Sequence, residues 1–127
     1  MRGVVFVALL AVAGAGEARA QDAAAGEKVF AVCKACHQIG DTGKNSVGPV
    51  LNGIIGRKAG SVAGYSYSAA NKDSGITWDE ATFREYIKDP KAKVPGTKMI
   101  YAGLMDDQKT NDLGAFLKQF DADGKKK

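Results

Sequence analysis

The stretch Cys33-Lys34-Ala35-Cys36-His37 contains both cysteines and the only histidine of this 127-residue chain. Two cysteines this close in sequence cannot staple distant parts of a fold together, so a disulfide framework is excluded. A zinc site made only of thiolate and imidazole ligands needs about four of them, which is more than the chain has. We therefore expect the chemistry of this protein to depend on one pentapeptide and on what it binds.

The pattern C-x-x-C-H is the attachment signature of c-type haem. Two thiols three positions apart on a helical turn face the same direction, so each can add to a vinyl group on one edge of a porphyrin. The imidazole next to them can reach the iron. The pentapeptide thus predicts two covalent tethers, Cys33 and Cys36, and one axial ligand, His37.

Two other kinds of site use similar cysteine patterns. A thioredoxin-like dithiol expects a β-strand before its C-x-x-C, and no strand-like alternation of useful length occurs in this chain. Zinc bound by the two thiols would need His37 and carboxylates to complete its ligand set. Neither pattern fits as well as haem attachment.

The first twenty residues resemble a secretory signal peptide. Arg2 provides a positive start, residues 4–15 are apolar, and Ala18-Arg19-Ala20 is a small-x-small cleavage pattern. The apolar run is shorter than the roughly 20 residues that a membrane anchor needs. We predict cleavage after Ala20, with residues 1–20 as signal and 21–127 as one exported, periplasmic domain.

The second axial ligand follows less directly from the residues. With His37 used, a methionine, a lysine or an open position remains. Removal of the signal takes Met1 away and leaves Met99 and Met105. Met99 follows Pro95-Gly96 in an irregular loop, where packing of a helix stripe does not explain it, so we favour Met99.

The remaining pattern predicts an all-α domain with long loops. Leu113, Phe116, Leu117 and Phe120 form the strongest amphipathic stripe. Gly114 lies within the same predicted helix and predicts that another backbone segment, with Gly26 as the counterpart, approaches closely there. Seven glycines and Pro49 predict loops over residues 38–64. Helices are expected over residues 22–36, over 68–71, from a Thr77 capping box to Lys88, and from about Met105, with an extended loop over 91–103.

Taken in order and spacing, several segments resemble class I c-type cytochromes, closest to bacterial cytochrome c2 and mitochondrial cytochrome c. The resemblance covers essentially all of residues 21–127. It implies the cytochrome c fold, three to five helices with long loops around one covalent haem, with His37 as proximal and Met99 as distal ligand. The segments are residues 33–37, Gly48-Pro49-Val50-Leu51-Asn52-Gly53, Gly56-Arg57, residues 65–71, Gly75-Ile76-Thr77-Trp78 and residues 95–103.

The resemblance also implies roles for other residues around the haem. The Pro49 carbonyl would accept a hydrogen bond from His37 and so set the orientation and basicity of the ring. Partners of a buried propionate would be Arg57, Tyr67 and Trp78, and the distal polar network would contain Asn71, Tyr86 and Thr97. Two departures are noted: Phe30 stands one residue nearer to Cys33 than in the mitochondrial proteins, and Tyr101 replaces a frequent phenylalanine.

An iron held on both faces has no open position for a substrate, so the function implied is one-electron transfer and not enzymatic catalysis. Methionine ligation and burial favour the reduced iron, which predicts a high midpoint potential. The alternatives are a haem peroxidase or gas sensor formed by loss of Met99, and a thiol-disulfide exchanger.

The family implies a quinol:cytochrome c oxidoreductase as donor, and a terminal oxidase or photosynthetic reaction centre as acceptor. Residues 88–98 hold Lys88, Lys91, Lys93 and Lys98 but one acid. We expect these lysines to rim the haem and dock to acidic sites, with Asp106, Asp107 and Asp112 on another face. The three C-terminal lysines are expected to fray. The modest charge excess and the export signal argue against nucleic acid, and we expect a monomer.

Overall fold

The computed structural model describes residues 21–127 together with Gly3. Apart from Gly3, the predicted signal peptide lies outside the described residues, and so does Ala20, after which cleavage is predicted. Within the described part, five α-helices and one 3₁₀ turn form the regular structure, and no strand occurs beyond two isolated β-bridges. The helices are α1 (Ala23–Phe30), α2 (Ala69–Lys72), α3 (Glu80–Lys88), α4 (Pro90–Lys93) and α5 (Asp107–Lys118). This confirms the predicted all-α class with long loops.

Among the residues that the structure describes, none of the helices meets the length and hydropathy of a membrane span.

Helix α1 is shorter than predicted and is followed by a separate 3₁₀ turn at Cys33–Ala35. The Ala31 amide bonds Lys28 O three residues earlier, which tightens and ends the helix. The cysteine pair then occupies a turn of its own, in which the His37 and Cys36 amides both donate to Cys33 O. Both thiols and the imidazole are thus placed by this turn and not by the end of α1.

The N-cap of helix α3 lies two residues after the predicted one. Asp79, not Thr77, is the N-cap, and its carboxylate accepts a 2.8 Å bond from the Thr82 amide. Thr77 is unavailable because it forms a β-bridge with Lys58, and Trp78 exchanges backbone bonds with the 56–57 segment. The capping-box prediction was therefore wrong because a long-range pairing holds the residues before the helix in an extended form.

The segment after α3 is also more regular than predicted. Pro90 ends α3 but occupies the first position of α4, where its missing N–H costs nothing. Asp89 caps the new helix through the Ala92 amide. Helix α5 starts at Asp107 behind the Asp106 cap, so the exposed Met105 lies just before the helix.

The core forms where α1 crosses α5 and where α3 packs against α5. Its buried side chains are Phe30, Phe83, Ile87, Leu113, Phe116, Leu117 and Phe120.

A Cβ on Gly26 would overlap the Asp112 carbonyl and lie 2.8 Å from the Phe116 Cβ, so the crossing requires glycine there. Gly114 instead faces the Phe83 ring at an ordinary contact distance of 3.5 Å, so the predicted close backbone approach occurs at Gly26, with Asp112, and not at Gly114. A second cluster contains Ala59, Trp78, Tyr86 and Val94.

The C-terminal lysines do not fray. The Lys127 amide donates to Gln119 O, the Asp121 amide donates to Lys125 O, and Phe120 forms a β-bridge with Lys126. Gly124 is buried in this turn, next to Gly40. The prediction failed because it considered only charge and position, whereas backbone hydrogen bonds hold the segment with the lysine side chains exposed.

Candidate functional site

A cavity of about 530 Å³ is lined by members of both core clusters. This volume lies within the roughly 300–1,000 Å³ that small-molecule and cofactor sites occupy, and most of the lining is apolar. All eleven residues selected from the sequence line it: Cys33, Cys36, His37, Pro49, Arg57, Tyr67, Asn71, Trp78, Tyr86, Thr97 and Met99. Met105, the other methionine considered as a ligand, does not.

The His37 ring is held from behind by the loop that follows it. Its Nδ1 lies 2.7 Å from Pro49 O, so Nδ1 donates the proton and Nε2 remains as the ring atom available to a metal. A Cβ on the buried Gly48 would lie 2.7 Å from Nδ1 and 2.9 Å from Nε2, so the glycine permits this contact. Burial lowers the pKa of His37, which keeps the ring neutral, as a metal ligand must be.

Cys33 has the opposite character from a redox-active thiol. Burial, and secondarily the charge on Cys36, raises the pKa of the Cys33 thiol. Disulfide exchangers depend on a lowered thiol pKa, and no strand precedes the pair within the described residues. This environment does not favour thiol-disulfide exchange.

Met99 is the end of a short hydrogen-bond chain. The Tyr86 hydroxyl lies 3.4 Å from the Met99 Sδ and 2.9 Å from the Thr97 Oγ1, which in turn accepts a 3.3 Å bond from the Met99 amide. A consistent arrangement has Thr97 donating to Tyr86 and Tyr86 donating to the sulfur. Burial raises the pKa of Tyr86, so its hydroxyl stays protonated and able to donate. The side chain of Met99 packs against both core clusters.

Two buried polar atoms in the cavity wall have no hydrogen-bond partner among residues 21–127: Arg57 Nε and Asn71 Oδ1. Buried polar groups are normally satisfied, so orphaned atoms in a cavity wall indicate a bound group. The other side of Arg57 is occupied, because its Nη1 donates to Val50 O and Asn52 O. Tyr67 accepts a bond from the Val62 amide and retains its hydroxyl proton for another acceptor. Arg57 Nε and the Tyr67 hydroxyl are donors, and a cofactor with an acidic substituent fits them, whereas Asn71 Oδ1 is an acceptor.

Sequence reasoning missed the apolar rim of the cavity. Val32, Val47 and Ile100 line it although they are 66%, 72% and 96% exposed. Isolated apolar residues on loops give no periodic signal, so only the fold brings these three together. Tyr101, which stands in place of a frequent phenylalanine, also lines the cavity. Burial raises the pKa of its hydroxyl, so this residue adds a neutral phenol to the cavity wall.

The lysines of residues 88–98 are spread more widely than expected. Only Lys98 lines the cavity, where its ammonium donates to Ser66 O and lies 5.1 Å from the Tyr65 ring centroid. Lys93 is paired with Glu85, and Lys88 has a loose 3.8 Å contact with Asp107. Lys91 is exposed.

The acidic face is likewise smaller than expected. Asp112 is buried and accepts bonds from the Asp22 amide and from Gln108. Asp106 is exposed, but its carboxylate caps α5 by accepting from the Lys109 amide. Asp107 remains as an exposed carboxylate next to Lys88. Only part of the predicted acidic group is therefore available to a partner.

These features define a helical protein built around one large apolar cavity with a C-x-x-C-H turn in its wall. The family model for "Cytochrome c" matches residues 23–121. The chain is 60% identical to cytochrome c2 of Blastochloris viridis over 127 residues, which is the full length of both. It is 60% identical to cytochrome c-550 of Nitrobacter winogradskyi over 106 residues, or 84% of this chain and 97% of that one.

Among solved structures, cytochrome cH from Methylobacterium extorquens superposes with a TM-score of 0.73 at 54% identity, covering 77% of this chain and 98% of the other. The chain therefore belongs to the cytochrome c family. Members of this family are electron carriers and not enzymes, and they bind haem c covalently, here through Cys33 and Cys36. The resemblance drawn from the sequence is confirmed.

Substitution of Gly48 tests the contact behind His37. In Gly48→Ala the new Cβ must displace the imidazole, so we expect the haem-loaded protein to lose about 1–3 kcal/mol of stability. We also expect shifted haem-methyl resonances in its paramagnetic NMR spectrum. Gly43→Ala is the control, because the atoms nearest to its Cβ would be Gly40 O at 3.1 Å and atoms of Ile39 and Val50 at 3.2 Å, and not those of His37. Equal effects of the two changes would contradict a specific contact with the ring.

Proposed function

We propose that this protein is a soluble, high-potential one-electron carrier in which His37 and Met99 are the axial ligands of haem c. The observation that carries the proposal is that both side chains line one cavity with the cysteine pair, each supported from behind by its own hydrogen bond. When bound, haem c supplies an iron that gains and loses one electron. The residues of the chain orient the ligands, exclude water and tune the potential.

The polar residues of the wall have separate roles in this proposal. Arg57 directs its unpaired Nε, and Tyr67 its hydroxyl proton, toward a buried propionate, with Trp78 beside them. Asn71 supplies its amide to the distal polar network. The Tyr86 hydroxyl donates to the Met99 sulfur, which stabilises the electron-rich state of the site and so raises the midpoint potential.

We infer that the protein works in the periplasm after cleavage at Ala20. The pattern of residues 1–20 supports this. The full-length match to the cytochrome c2 of Blastochloris viridis includes the same segment. Residues 21–127 are then the functional domain.

Electrons pass from a quinol:cytochrome c oxidoreductase to a terminal oxidase or photosynthetic reaction centre. Contact is made through the apolar rim of Val32, Val47 and Ile100, because an apolar patch next to the cavity can exclude water where the electron crosses. Lys88, Lys91, Lys93 and Lys98 supply the longer-range attraction. Lys88, Lys91 and Lys98 contribute most of it, since Lys93 is neutralised by Glu85, whereas the hydrogen bond from Lys98 to the Ser66 carbonyl leaves the charge of Lys98 in place.

Kinetics with an isolated quinol:cytochrome c oxidoreductase test this docking. We expect the second-order reduction rate to fall as ionic strength rises, because steering by exposed charges is screened over about 10 Å at 0.1 M salt. The double variant Lys88→Glu/Lys91→Glu should be several-fold to tenfold slower at low salt, with the difference lost at high salt.

The control variant has the same net charge as the Lys88→Glu/Lys91→Glu variant, but its two substitutions lie elsewhere in the chain. Lys28→Glu/Lys125→Glu replaces two exposed lysines that do not lie in the 88–98 segment. Its rate should remain near wild type. Equal slowing in both double variants, or a rate independent of salt, would remove the role of these lysines. If the complex does not reduce the wild-type protein, the proposed identity of the electron donor is wrong.

A further inference from the structure

The loop that carries Met99 returns to the helical core at Gly103. This glycine has φ +115°, and a Cβ on it would lie 3.1 Å from the Lys88 carbonyl carbon and overlap the Lys88 oxygen. The positive φ and the absence of space each favour glycine here. Gly103 is therefore where the loop backbone lies directly against the C-terminal end of α3.

The next residue secures this contact. The Leu104 amide donates a 2.8 Å bond to Ile87 O, and its side chain packs against the first core cluster. The last carbonyls of a helix have no partner within the helix, so Leu104 satisfies one of them. We call Gly103 and Leu104 the loop seat.

The other end of the loop is fixed at Thr97. Its amide donates to Val94 O, and its hydroxyl bonds Tyr86, a residue of α3. Between Thr97 and the loop seat, Ile100 is 96% exposed and contributes little packing. The reach of Met99 into the cavity thus depends on two attachments to the region of α3, one on each side of it.

We propose that Gly103 is a positioning residue that keeps Met99 at its ligand position and so closes the site to external ligands. The proposal rests on the proposed function, in which Met99 binds the iron. Any side chain at Gly103 pushes the loop away from Lys88. Because Met99 lies only four residues earlier, its sulfur is withdrawn from the cavity more of the time. In this way Gly103 keeps the site closed, so that the protein transfers electrons and does not bind external ligands.

Imidazole binding to the ferric, haem-loaded protein measures this withdrawal. The apparent affinity for imidazole scales with the fraction of molecules in which the methionine is detached. We expect Gly103→Ala to bind imidazole about tenfold more tightly than wild type, equivalent to about 1.4 kcal/mol. Its methionine-to-iron absorption band at the red end of the spectrum should weaken in parallel.

Gly40→Ala is the matched control. Gly40 has nearly the same φ, of +114°, but a Cβ there meets nothing within 4 Å and the residue does not line the cavity. It therefore has the backbone strain without the displacement, and its imidazole affinity should equal that of wild type. An unchanged affinity in Gly103→Ala, or an equal rise in both variants, would overturn the proposal.

Amide hydrogen exchange in the wild type provides a test that does not depend on the folding of the variant. Saturating imidazole, which displaces the methionine, should reduce protection of the Leu104 amide and leave that of Trp78, bonded to Arg57 O, unchanged. Protection of Leu104 that does not respond would also overturn the proposal. If wild type lacks the red absorption band, the ligand assignment fails, and this outcome is distinct from failure of the loop seat.

Discussion

The Met99→His variant of the haem-loaded protein is expected to have a midpoint potential a few hundred millivolts below that of wild type. A thioether stabilises the reduced iron relative to a second imidazole, and axial ligands span roughly 0.8 V in haem proteins. The second imidazole should keep the iron low-spin, so the change in potential reports the ligand and not its loss. Spectroelectrochemical titration of both proteins measures the difference.

Met105→His is the matched control. Met105 is 72% exposed, lies before the Asp106 cap and does not line the cavity. Its substitution adds the same imidazole to the chain but away from the site, so the potential should stay within a few millivolts of wild type. A large drop in Met105→His with none in Met99→His would contradict the assignment of the distal ligand.

The second large effect is expected on folding. Gly26→Val places side-chain atoms where the Asp112 carbonyl of α5 and the Phe116 Cβ already lie. Backbone atoms cannot move aside as a flexible side chain can, so α1 must separate from α5. We expect the cost in unfolding free energy to reach or exceed the upper end of the range of about 1–3 kcal/mol typical of overpacked cores.

Denaturant titration of the haem-loaded variant measures this cost. Ala24→Val is the control, because Ala24 is exposed on the same helix and the change introduces the same β-branched side chain. It should lose only a few tenths of a kcal/mol to helix propensity. Equal loss in both variants would show that the Gly26 contact is not what holds the two helices together.

Much of the site could be predicted because its residues are marked by local sequence. Cys33, Cys36 and His37 form a pattern with a mechanical reason, and Met99 stands out because no helix stripe explains it. The amphipathic stripe of α5 likewise marks the core, including Phe120 beyond the end of the helix. Sequence spacing was sufficient for prediction where the residues that act together are close neighbours in the chain.

The errors arose where distant segments meet. The N-cap shifted from Thr77 to Asp79 because the 56–58 segment pairs with residues 77–78. Gly48, Gly103 and Gly124 each lie against backbone or ring atoms far away in sequence, and a glycine in a loop does not indicate which partner approaches it. The exposure of Val32, Val47 and Ile100 similarly depends on how three loops are arranged.

The absorption spectrum of the ferric protein, isolated after export and haem attachment, tests the central claim most directly. The claim is that haem tethered at Cys33 and Cys36 is ligated by His37 and Met99. We predict the weak methionine-to-iron band at the red end of the spectrum at neutral pH, present in wild type and Met105→His and absent in Met99→His. A wild-type spectrum without this band, or one whose band survives in Met99→His, would contradict the claim.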